Sequence, residues 1–154
     1  MDDRRESKDR PALEQALREH HELIEIENRL GGLFIDNTCP AFQTWIRDVR
    51  EGFGALRSRL GPHFELEEKG GLHQEILEAL PNQAPRLERL IQEHASLLAQ
   101  LDAIRDLSLR TERPPEDQEL RRKASDFFAA LDRHERAERE LFLHAIEGDG
   151  GAPD

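Results

Sequence analysis

The 154-residue chain carries a formal charge of −11, with 36% apolar and 36% charged residues. Its length fits one domain with one core, and so negative a field excludes capture of nucleic acid or an anionic membrane by net charge. The single Cys39 excludes an internal disulfide and a thiolate metal site.

The N-terminal stretch MDDRRESKDR (residues 1–11 with Pro11) is charged and lacks the apolar centre of a signal peptide. It reads as a flexible tail. No apolar run approaches ~18 residues, so a soluble cytoplasmic protein is expected. The folded domain is expected over 12–147. The first helical segment runs from about Pro11 to Leu30, with Leu13, Ala16, Leu17 and Ile24 on one face. Gly31-Gly32 is expected to end it.

The second segment opens near Pro40, with Asn37 or Thr38 as its cap. Its face reads Phe42, Trp45, Val49, Phe53, Leu56, Leu60, His63, Glu67. Gly52, Gly54 and Gly61-Pro62 weaken it and predict a kink. The third segment follows Pro81-Asn82 and shows Leu87, Leu90, Ile91, His94, Leu97, Leu98, Leu101 and Ile104. The fourth follows Pro114-Pro115 and shows Phe127, Leu131, His134, Glu138, Leu141 and Phe142. GDGGAPD, 148–154, reads as a second flexible tail. No segment alternates with period two over a strand length. The predicted fold is all-α, an antiparallel up-down four-helix bundle.

Each helix aims one histidine into its apolar stripe, at roughly 100° per residue. These are His20, His63, His94 and His134. Glu67 and Glu138 follow one turn after His63 and His134 on the same faces. A lone histidine on such a face is usually a hydrogen-bonded core residue. Four together, with two core carboxylates and no Lys or Arg in the middle of the stripes, point to a shared cation. Imidazole with carboxylate suits iron, manganese or zinc; calcium and magnesium prefer oxygen throughout.

The i, i+4 spacing sets His and Glu about 6 Å apart along one face. The histidine can then hold one ion while the glutamate reaches a second, which predicts a carboxylate-bridged dinuclear centre. One HxxxE is a weak signal; two on separate helices, in matching core phase and with two further inward histidines, are strong. The halves also repeat one another. Each reads as a Glu-His pair (Glu19-His20, Glu93-His94), a hairpin, then HxxxE.

His20 followed by HFELEE, then His94 followed by HERAERELF, resembles the hemerythrin-like, or HHE cation-binding, domain over about residues 12–147. The resemblance implies a bundle holding two iron ions, while the ligand chemistry keeps manganese or zinc as alternatives. It implies that His20 and His63 bind one iron, His94 and His134 the other, and that Glu67 and Glu138 bridge them. Oxygen-carrying hemerythrins have a further histidine where this chain has Leu98. Their last carboxylate is an aspartate five residues after the histidine, where this chain has Arg139. The resulting open coordination positions favour a small diatomic or peroxide partner over reversible oxygen transport.

His21 is the rival of His20 as ligand. Glu27, two turns after His20 and about 10 Å further along the axis, suits an interhelical salt bridge better than a ligand role. His73 and His144 fall ten residues after a ligand, about 80° off its direction, and read as surface residues at one end of the molecule. Cys39 reads as incidental. Phe64, Glu65 and Glu68 read as packing and solvated-face residues. The leading function is a di-iron protein that binds or reacts with oxygen, hydrogen peroxide or nitric oxide; whether it turns over is left open. The alternatives are an iron- or oxygen-sensing module, and a helical interaction protein with a vestigial or zinc-filled site.

Overall fold

The computed structural model describes residues 9–35 and 41–148. Among them the chain is almost entirely helical, with no strand. Five α-helices occur: α1 Pro11–Ile35, α2 Phe42–Lys69, α3 Leu72–Ala79, α4 Ala84–Arg110 and α5 Asp117–Gly148. A 3-10 turn, Pro81–Gln83, joins α3 to α4. Each of the four long helices packs against two others: α1 on α2, α2 on α4, α4 on α5 and α5 on α1. No described helix is long and apolar enough to cross a membrane.

The first helix departs from expectation. Gly31-Gly32 does not end α1, which continues to Ile35. Packing outweighs the cost of two helical glycines, which is about 1 kcal/mol each. Beyond them, Phe34 meets Trp45, Phe53 and Phe128. The Trp45 indole Nε1–H donates to the Leu33 carbonyl at 2.6 Å, tying α2 to the last turn described for α1. Asn37, Thr38, Cys39 and Pro40 lie outside the described residues; α2 has Ala41 as its N-cap, without a side-chain capping bond.

The α2 helix runs unbroken through Gly52, Gly54, Gly61 and Pro62. Gly61 has no Cβ to clash with the Pro62 ring, which eases the usual exclusion of helix before proline. Gly52 has a separate reason: a Cβ there would stand 2.5 Å from Leu30 Cδ1, so glycine permits the close approach of α1 and α2.

The short α3 was not expected. Gly70-Gly71 ends α2 just past Glu67, and α3 then continues the apolar packing. Its Leu72 and Ile76 join Leu13, Ala16, Leu87, Leu90, Leu141, Phe142 and Ala145 in one core cluster. Glu75 of α3 accepts from the backbone N–H of Leu13 at 2.9 Å and of Ala12 at 3.0 Å, capping α1. A larger cluster, including Leu30, Trp45, Phe53, Leu56, Leu101, Phe127 and Leu131, fills the other half of the molecule. Each fully buried large side chain contributes about 1.5–3 kcal/mol.

Candidate metal centre

The level between the two apolar clusters is polar. His20 on α1, His63 and Glu67 on α2, His94 on α4, and His134 and Glu138 on α5 are all buried, 1–3% exposed. All six sequence-predicted residues therefore meet in one place. The helical period puts them there: each histidine extends the apolar stripe of its own helix. His21, a step of about 100° away, is exposed and points elsewhere.

The two carboxylates tie the halves together. Glu67 Oε2 lies 2.8 Å from His63 Nε2 and 3.1 Å from His20 Nε2, and its Oε1 lies 3.2 Å from His94 Nε2. Glu138 Oε2 lies 2.9 Å from His134 Nε2 and 3.0 Å from His94 Nε2, and its Oε1 lies 3.0 Å from His20 Nε2. One set, His20, His63, Glu67 and Glu138, offers ligand atoms within 4.8 Å of one another; His94, His134 and Glu138 form a second. Glu138 belongs to both.

The outer faces of the imidazoles show a further layer of carboxylates. His63 Nδ1 donates to Glu19 at 2.7 Å, His134 Nδ1 to Glu93 at 2.7 Å and His94 Nδ1 to Glu68 at 2.8 Å. The sequence held a hint of two of them, since Glu19 and Glu93 belong to the repeated Glu-His pair. Each grips the histidine of the neighbouring helix rather than the one beside it in sequence. Glu68 lies on the exposed face as expected, and from there its carboxylate also reaches in to His94. Phe64 packs as expected, its ring stacked on His94 at 3.8 Å and 2°. Surface grooves of about 270 Å³ beside Glu19 and His63, and about 400 Å³ beside Glu93 and His134, flank the centre.

With Nδ1–H committed outward, a neutral imidazole turns the lone pair of Nε2 inward, towards carboxylate oxygens that are also acceptors. Something positive must stand between them. Without a metal it is protons. Burial alone would lower the His20 pKa, but Glu138 and Glu67 outweigh it and hold the group at about 9. The same competition holds His94 at about 10 and raises His63 and His134. Burial pushes Glu67 and Glu138 up, and the surrounding histidines more than reverse this, leaving both below the usual carboxylate range.

Protons do not complete the site. His63 Nε2, His134 Nε2, Glu67 Oε1 and Glu138 Oε1 are buried and make no aligned hydrogen bond. The same separations suit an ion: with metal–ligand bonds of about 2.1 Å, ligands at right angles stand about 3 Å apart. Buried imidazole and carboxylate in these two overlapping sets can hold a metal ion, and the donor set fits iron, manganese or zinc.

Beside this centre lies a feature with no sequence signal. Glu27 does not form the expected salt bridge; its carboxylate pairs with that of Glu135. Burial, then contact with Glu27, pushes Glu135 up to about 11, and burial raises Glu27 as well. Glu27 belongs to neither ligand set. His73 sits half-buried on α3 and His144 exposed on α5, and neither joins the ligand sets. No family model, no curated protein and no solved structure matches this chain.

Proposed function

We propose that this is a non-haem di-iron protein of the hemerythrin-like type that binds or reacts with a small oxidant: oxygen, hydrogen peroxide or nitric oxide. On this reading α1, α2, α4 and α5 are the antiparallel four-helix bundle, and α3 closes its end where α2 stops. One observation carries the proposal. Four buried Nε2 atoms converge on two carboxylates, and three of the imidazoles are oriented by outer carboxylates, an arrangement typical of metal-ligating histidines.

Each residue has a part. His20 and His63 hold one ion, and His94 and His134 the other. Glu67 and Glu138, each reaching histidines of both halves, bridge them and offset their charge. Glu19, Glu68 and Glu93 fix the ring orientation and raise the basicity of Nε2. Bound iron would supply electrons and Lewis acidity to a small ligand at the coordination positions these six residues leave open. Phe64 and Phe142, stacked against His94 and His20, border that space with apolar surface, which excludes water and selects small uncharged molecules.

The test is metal analysis of protein purified under reducing, iron-replete conditions, paired with its visible spectrum before and after hydrogen peroxide. Two iron ions per chain and a peroxide-dependent spectral change are expected. Protein that takes up no iron refutes the reading.

A further inference from the structure

The approximate twofold repeat that relates the halves breaks around one histidine. Glu19 and Glu93 are equivalent, as are His63 and His134, and Glu67 and Glu138. Aligning HFELEE with HERAER sets Glu68 opposite Arg139 and Phe64 opposite Glu135. The Glu68 acceptor of His94 therefore has no equivalent at His20, whose ring stacks on Phe142 instead. His94 Nδ1 donates to Glu68 at 2.8 Å and its ring lies flat on Phe64. His20 Nδ1 is buried and has no hydrogen-bond partner. Arg139 offers only donors and cannot accept its proton. The nearby Glu27 carboxylate pairs with Glu135 instead.

We infer that the two metal positions are inequivalent, the ion held by His20 and His63 being the weakly bound, exchangeable one and the ion held by His94 and His134 the resident one. The inference rests on the dinuclear reading above. A carboxylate on Nδ1 fixes the tautomer that presents Nε2 to the metal and strengthens it as a donor. His63, His94 and His134 have one; His20 does not. Loss of such a partner typically costs 10–100-fold in metal affinity, so roughly that factor should separate the two sites.

The test is anaerobic titration of metal-free protein with cobalt(II), followed by its visible absorption. Two steps are expected, separated by roughly 10–100-fold in affinity. Arg139→Glu supplies His20 with the missing acceptor and should tighten the weaker step alone. Arg139→Met removes the same positive charge without an acceptor and should leave the weaker step loose. Glu68→Met strips His94 of its partner and should weaken the tighter step, drawing the two together. Glu68 is partly exposed, so this variant keeps the test open if Arg139→Glu fails to fold. Two equal steps in the unaltered protein overturn the inference while leaving the dinuclear reading intact. So does equal tightening by Glu and Met at position 139, or a tighter step that Glu68→Met leaves unmoved. Failure to bind any cobalt would instead remove the dinuclear reading itself.

Discussion

Glu138 touches three histidines, on α1, α4 and α5, and is the one carboxylate common to both ligand sets. Glu138→Gln should abolish binding of both ions, read as metal content after dialysis. It should also destabilise the metal-free protein by about 3–5 kcal/mol, the cost of stranding buried charged partners, read by urea denaturation. The titrations of the same layer set a pH dependence. His20 and His94 rise from 6.5 to about 9 and about 10 on folding. The stability they add is complete below pH 6.5 and is lost as pH climbs through 9 to 10. Glu135, at about 11, acts in the same direction, because the folded protein keeps a proton that the unfolded chain releases above 4.5. Glu67 and Glu138 act at the other end: their contribution is present above 4.5 and is lost as pH falls through their lowered values. Metal-free protein should therefore melt at a lower temperature at pH 9 than at pH 6, while metal affinity rises over that interval as protons leave the imidazoles. A metal-free Tm that is level or higher at pH 9 would contradict this. The inward histidines were legible from sequence because their helical phase is fixed. The outer carboxylates were not, because a half-exposed glutamate at the edge of a stripe has the same local pattern whether it faces water or a neighbouring helix.

At the scale of the helix, a glycine or proline set within an apolar stripe proved a poor guide to endings. Gly31-Gly32 and Gly61-Pro62 both lie inside helices, where burial of Leu30, Phe34 and Phe64 on either side outweighs propensity. A sequence pattern counts the local cost of a breaker and cannot see the partner across the interface. The same blindness hid α3. Eight residues with two buried apolar positions are too few to show a period, and Gly70-Gly71 reads as the start of a loop. Two pairs of measurements follow. Gly54 has open space around it, so Gly54→Ala should stabilise by about 0.5–1 kcal/mol. Gly52→Ala meets Leu30 and should be the less stable of the two variants by denaturant midpoint, since overpacking costs about 1–3 kcal/mol. Glu75→Ala should cost about 1 kcal/mol by uncapping α1, whereas Glu78→Ala, an exposed neighbour, should cost less.

For the whole molecule, the core is two apolar clusters with a charged layer between them. The all-helical class and the meeting of six residues were readable from the chain. The division of the core was not, because it depends on where α2 stops and α3 takes over. Metal at about 100 times its dissociation constant should add about 2.7 kcal/mol per site to the unfolding free energy, and chelation should remove it. The layered construction also governs how the protein comes apart. Amide hydrogens on either side of the layer report on separate apolar clusters, joined mainly through groups that repel or strand one another when nothing positive sits among them. With metal bound, exchange at Leu56 and at Leu141 should slow to one common opening free energy. Without it, the smaller cluster around α3 should open on its own and exchange first, so the ion acts as the rivet that makes two foldons one.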